Sequence, residues 1–233
     1  MRRTLSALLP LLLTLPLGAQ GFEGTLNMRM TSAGTSEPIT TTMHIKGDVM
    51  AMVMTLPASA GPMAGMEARM VLDQGARKMT MLMPMPAGMP AMPGAKGMKI
   101  VTDLSKMESE SAKLPEPTLK KLGTSQTVAG MACDDYQVTS GQDVTNMCVT
   151  DKLGRFTLPS GGVGSQPPAW ARAFGNKPMF PLKVWTTTDG NSVAMEVLSV
   201  KRGAAPAGVF DVSPAGYQDM SAMMGGGMGR RND

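Results

Sequence analysis

The soft donor atoms of this chain are mostly methionine sulfurs. Their densest run is "MTMLMPMPAGMPAMPG", Met79 to Gly94, with six methionines in sixteen residues. Thioethers support two kinds of chemistry: ligation of soft ions such as Cu(I) or Ag(I), or a flexible, polarizable apolar surface. Met79, Met81, Met83 and Met85 alternate strictly, so in a strand they would share one face. From Pro84 onward the run is rich in Pro and Gly and cannot continue a ladder. Met85, Met89 and Met92 are therefore the looser cluster, and they form the candidate metal site. The tail methionines Met220, Met223, Met224 and Met228 fall outside any strand rhythm as well.

Other reactive groups are scarce. His44 is the single histidine and follows Met43, but neighbours in a strand point to opposite faces, which puts His44 on the polar side with Thr40, Thr42 and Lys46. No GxSxG, HExxH or P-loop spacing occurs, and "GGVGS" at 161–165 has no lysine after it. Asp134 and Asp135 would face apart on a strand, and Glu108 and Glu110 sit in a solvated acidic run. No catalytic residue and no cofactor are expected, so the chain reads as a non-enzyme. Cys133 and Cys148 lie in two strand-like runs around "SGQD". In a hairpin turning near Gly141 they fall close to opposite one another, and a bridge closing that interval stabilises by ~3 kcal/mol on the loop-entropy model. The sharper alternative is a catalytic or metal-thiolate pair, but there is no CxxC to favour it.

The N-terminus places the protein outside the cytoplasm. "MRRTLSALLPLLLTLPLGAQG" has a basic start, an apolar run from Leu5 to Leu17 and small residues near a cut after Ala19. Pro10 and Pro16 interrupt the run, which is too short to span a bilayer. Residues 1–19 are read as a cleaved signal peptide, giving a periplasmic or secreted protein that is not an integral membrane protein. No cysteine stands near the cut to carry a lipid anchor. Without Arg2 and Arg3 the 22 basic side chains become 20 against 18 acidic ones, and the net charge drops from +4 to +2. No basic stripe with interleaved aromatics remains, which argues against a nucleic-acid partner.

Positioning the methionines falls to strands, because the dominant periodicity is two. "FEGTLNMRMT" sends Phe22, Leu26, Met28 and Met30 to one face. "PITTTMHIKGDVMAMVMTL" gives two strands around a "KGDV" turn, with Ile39, Met43 and Ile45 inward in the first and Met50, Met52 and Met54 alternating in the second. "MEARMVLDQGARKMTMLM" repeats the pattern around "DQGA", and "MKIVT" resumes it. The rhythm breaks at 103–123. There Asp103 or Ser105 caps a short helix to about Leu114, and "PTLKKLG" adds a turn closed by Gly123. Strands return from "TSQTVAGMAC" to "TNMCVT". "PPAWARAFG" predicts a second short helix, "PLKVWTTTDGNSVAMEVLSVKR" a hairpin turning at Asp189-Gly190, and "FDVSPAGYQDM" a short strand and turn. The expected organisation is one antiparallel β domain over 20–218 and a disordered Met/Gly-rich tail over 219–233.

In this order "FEGTLNMRM", "IKGDVMAMVM", "MVLDQGARKMTML", "VAGMACDDYQVT", "CVTDKLGRF", "PLKVWTTTDG" and "FDVSPAGY" resemble a bacterial family of secreted domains of unknown function. That family is similar to the outer-membrane lipoprotein carrier superfamily with its LolA-like and LppX-like members. The resemblance runs from Phe22 to about Tyr217. It rests on strand rhythm and on Gly130, "LGRF" and the closing Phe210, Pro214, Gly216 and Tyr217. It implies a mainly β fold, one strongly curved antiparallel sheet forming an unclosed barrel, with short helices on or near an apolar concave face that accepts acyl chains.

The leading functional expectation is a non-catalytic carrier of an apolar lipid or acyl ligand in the cell envelope. Its pocket would be lined by Met28, Met30, Met43, Met50, Met52, Met54, Met70, Met79, Met81 and Met83. Alternatively, these side chains simply fill the core between sheet and helices. A second hypothesis is a periplasmic Cu(I) or Ag(I) binder using Met85, Met89 and Met92. A third is a structural or partner-binding envelope module with no small ligand. Trp170, on the second helix, and Trp185, in a strand, are both expected to pack.

Overall fold

The computed structural model describes residues 21–31, 38–85, 95–105, 114–156, 168–175, 177–186 and 193–221. The expected signal peptide over 1–19, Met89, Met92, most of the helix expected before Leu114, the "GGVGS" loop, the Asp189-Gly190 turn and the tail beyond Ser221 lie outside these residues.

Alternation of apolar and polar side chains produces strands along nearly the whole described chain. They are β1 (Glu23–Met30), β2 (Ile39–Lys46), β3 (Val49–Thr55), β4 (Glu67–Asp73), β5 (Lys78–Pro84) and β6 (Gly97–Asp103). There follow β7 (Thr118–Val128), β8 (Met131–Ser140), β9 (Asp143–Thr150), β10 (Phe180–Thr186), β11 (Val193–Arg202) and β12 (Tyr217–Asp219). A 3-10 helix, Ala58–Met63, links β3 to β4, and one α-helical turn, α1 (Ala169–Arg172), precedes β10. Pro168 opens α1 and Gly175, at φ +55°, stands just beyond its end. No helix among the described residues is long and apolar enough to cross a membrane.

All twelve strands form one curved, unclosed sheet in the order β12-β6-β5-β4-β3-β2-β1-β11-β10-β9-β8-β7. Every pairing is antiparallel except the last, β12 lying parallel to β6. Tight turns set the register: Gly47, at φ +57°, turns β2 into β3, and the Ala76 amide donates to Asp73 Oδ1 at 2.7 Å between β4 and β5. The inner face carries the main core. Leu26, Met28, Met43, Ile45, Met50 and Leu72 from one half of the sheet join Met147, Leu182, Val184, Met195 and Val197 from the other. Trp170 of α1 is buried there, stacked on Phe156 at 5.9 Å between centroids, and Phe156 meets Phe180 edge-on at 4.9 Å. Trp185 is half-buried and packs against this core, as expected, with Lys183 Nζ 5.9 Å from its ring centroid.

Four local expectations need correction. "PTLKKLG" is not a helical turn: β7 runs through it, paired with β8, and Gly123 at φ +81° serves a β-bulge between Lys121 and Ser125. The Leu119–Leu122 spacing suits a helix, but eleven residues of edge strand gain ladder hydrogen bonds that a short isolated turn cannot supply. The β8–β9 turn falls one residue later than the cysteine spacing suggests, because Ser140 pairs with Asp143. Cys148 therefore stands opposite Asp135, and the Cys133–Cys148 disulfide crosses the hairpin diagonally, with 5.3 Å between Cα atoms. His44 does take the outer face, yet it is buried there. Finally, the chain keeps sheet contacts past residue 218: Asp219 belongs to β12, the Met220 amide donates to Lys99 O, and Ser221 Oγ accepts from the Val101 amide.

The outer face is dry in one place because residues 203–216 cross it. Val209, Ala205 and Phe210 pack on Ala51, Val71, Val49 and Val53. Arg69 fastens the crossing, its two terminal nitrogens donating to Gly208 O at 2.8 Å and Asp211 O at 2.9 Å. His44, opposite Ala51 in register, borders this patch.

Candidate functional site

Strand register turns separate methionines into rows. Met43 on β2, Met52 on β3, Met70 on β4 and Met81 on β5 are directly opposite one another in sequence, with Leu26 and Ile100 at the ends. One row along, Ile45, Met50, Leu72 and Met79 line up in the same way. On the other flank Met28, Thr41, Met54 and Ala68 align across β1 to β4, and Met83 faces Met98 between β5 and β6. Directly opposed side chains in a sheet are close enough to touch, so the rows form a contiguous thioether surface. Met30 extends it, paired with Ile39 and with Met195. All ten methionines of the expected apolar face thus share the inner face.

Burial is graded across that surface. The row of Ile45, Met50, Leu72 and Met79 is buried throughout. In the middle row Met43, Met52 and Met70 are buried, whereas Met81 is half-buried. On the third flank Met28 is buried but Met54, Met83 and Met98 are half-buried, as is Met30. The apolar interior therefore reaches solvent along the Met30–Met54–Met83–Met98 side. Unbranched thioether chains can rearrange their three rotatable bonds at little cost, so this edge is adaptable in shape.

Sequence reasoning missed three members of the surface and one exception to it. Met98, Met147 and Met195 belong to the inner face, and simple alternation along their strands would have found them. The exception is Thr41, which shares the parity of Met43 and is 1% exposed. Its hydroxyl has no hydrogen-bond partner.

The other candidates are placed less suggestively. Met85 is half-buried and its amide donates to Lys96 O, extending the β5–β6 ladder by one step. Among the described residues no group of three His, Cys, Asp or Glu side chains could hold a metal ion. Asp134 accepts from Lys121 Nζ at 2.6 Å and from Ser125 Oγ at 2.8 Å, and the Lys121 hydrogen bond holds its carboxyl below the usual range. Asp135 accepts from Thr124 Oγ1 at 2.7 Å and from Gln126 Nε2 at 2.8 Å. Both carboxylates are thus held by the β7–β8 hairpin. His44 Nδ1 lies 2.9 Å from Thr25 Oγ1, and burial lowers its pKa. An open groove of about 400 Å³ is lined by the outer-face residues Thr40, Thr42, Val53, Thr55 and Glu67 together with Ile39, and contains none of the methionines.

A family model described as a domain of unknown function (DUF4412) matches residues 22–217. The chain belongs to this family. The match covers every strand of the sheet but the last two residues of β12, and so takes in the whole methionine surface. No curated protein matches the sequence. Among solved structures, PNGF-II in a C2 crystal form aligns at 11% identity and a TM-score of 0.48, over 88% of this chain and 32% of that one. MucB aligns at 14% identity and a TM-score of 0.32, over 84% of this chain and 57% of that one. The Pseudomonas aeruginosa MucA/MucB complex aligns at the same identity and score, over 81% and 54%. This chain spans about a third of PNGF-II and somewhat over half of MucB.

Proposed function

We propose that this DUF4412 protein is an exported, non-catalytic binding protein that holds the apolar part of a lipid or acyl ligand on its inner sheet face in the cell envelope. The observation that carries the reading is the register of the methionines: rows of thioethers on adjacent strands, dry at one flank and half-exposed at the other. A core that only had to be stable would be served by Leu, Ile and Val, whose rotamers are better defined. Methionine at the open flank instead keeps the surface deformable, as a binder of variable acyl chains needs. The basic-apolar-small pattern at the N-terminus and a disulfide, which persists in oxidising compartments, support an envelope location. The sequence resemblance to lipoprotein carriers points to the same ligand class. An envelope protein that receives or delivers the ligand would be its natural partner.

A second reading has its own observation. Met52, Met70 and Met81 stand side by side on three adjacent strands, a donor set suited to Cu(I). Native mass spectrometry of protein isolated from the periplasm, followed by anaerobic Cu(I) titration, separates the two. A co-purified acyl species supports the carrier. Stoichiometric Cu(I) uptake with no lipid adduct favours the metal reading, and a ligand-free protein that takes up neither contradicts both.

A further inference from the structure

Thr41 is the one polar side chain set among the inward methionines of β1 to β3. It faces Met28 on one neighbouring strand and Met54 on the other, with Met43 two residues along its own strand. It is 1% exposed, and its hydroxyl oxygen finds no donor or acceptor. An unpaired buried hydroxyl is destabilising, and valine would fill the same shape without that penalty. Thioether sulfur is too weak an acceptor to satisfy it.

Charge on the face narrows what could. The inward positions around Thr41 are Met28, Met30, Ile39, Met43, Met54 and Ala68, all uncharged. The positively charged residues of the same strands, Arg29, Lys46 and Arg69, alternate to the outer face. A carboxylate brought to Thr41 would therefore be buried without a counter-ion from the described residues of these strands, at a cost one hydroxyl cannot offset. A neutral acceptor meets no such cost.

Resting on the binding role proposed above, we infer that the inner face recognises an esterified acyl chain, with Thr41 Oγ1 donating to the ester carbonyl while the chain lies along the methionines. Met54, directly opposite Thr41 on β3 and half-buried, brings the open flank next to this hydroxyl. The protein thus discriminates by polarity: acyl esters bind better than alkanes of equal length, and better than free fatty acids in their ionised form.

The test uses the full exported chain with its disulfide intact and displacement of a fluorescent apolar probe by methyl palmitate, hexadecane and palmitate at pH 8. The wild type is expected to prefer the ester. Thr41→Val should weaken ester binding roughly 5- to 10-fold, the loss of one buried hydrogen bond, leave hexadecane unchanged and raise the apo melting temperature. Thr41→Ser should restore the ester preference. Wild-type protein that binds ester and alkane equally, or a Thr41→Val chain with undiminished ester affinity, overturns the inference while leaving apolar binding intact. Failure of the wild type to bind any of the three overturns the carrier reading and this inference with it. The wild-type ester-to-alkane ratio decides the matter even if the valine variant does not fold.

Discussion

Met43 of β2 stands directly opposite Met52 of β3, and Met52 directly opposite Met70 of β4, so three thioethers from separate sequence segments adjoin on one buried face. Truncation there removes packing that the neighbours can only partly refill. Met43→Ala or Met52→Ala should cost about 2–5 kcal/mol, whereas Met52→Leu, which roughly keeps volume, should cost less than about 1.5 kcal/mol. Urea unfolding monitored by circular dichroism measures both.

The diagonal Cys133–Cys148 bridge closes the β8–β9 hairpin. Replacing both cysteines by serine should lower stability by about 3 kcal/mol. The same loss should follow mild reduction of the wild type, since every cysteine of the chain is in this bridge. Equal midpoints for oxidised and reduced protein would deny the bridge a stabilising role.

Burial lowers the His44 pKa from its ordinary 6.5. Protons therefore bind the unfolded imidazole more readily than the native one, and the unfolded state gains as pH falls. The His44 contribution is complete above about pH 6.5 and is lost as pH drops from there through the lower native value. His44→Asn should flatten the stability profile in that window, as read by denaturant midpoints taken across it.

Arg69 ties the 203–216 crossing to the outer face through Gly208 O and Asp211 O. Arg69→Ala should cost about 1 kcal/mol, the usual net worth of hydrogen bonds at an exposed site. Hydrogen exchange should then quicken at 203–216 while the central strands stay protected. Unchanged exchange in that segment would show that Val209 and Phe210 hold it alone.

Period-two alternation made the strands and the shared face of the ten methionines legible, because inward positions repeat with fixed parity. Strand order and burial were not legible. That Met81 and Met54 are half-exposed while Met50 and Met79 are buried depends on which strands lie beside them, and local sequence carries little of that. The β7 error has a similar origin: "TLKKLG" has a helical spacing of leucines, and only its pairing with β8 decides for the strand. His44, which alternation placed on the polar face, is buried there, and its neighbour in register, Ala51, belongs to the patch that Val209 packs on, a long-range contact that local sequence does not reveal. Thr41 was readable from its parity with Met43, but threonine suits either face of a strand, and only the structure exposes its unpaired hydroxyl.

The most direct test of the account is a titration of 1-N-phenylnaphthylamine into wild-type protein and into a Met54→Asp/Met83→Asp variant, which places charges on the half-exposed flank of the methionine face. Saturable binding by the wild type, weakened at least ~10-fold in the variant with an unchanged circular dichroism spectrum, is the result predicted, since an unpaired charge repels an apolar ligand. Absence of saturable binding, or equal binding by both proteins, would contradict a ligand site on this face.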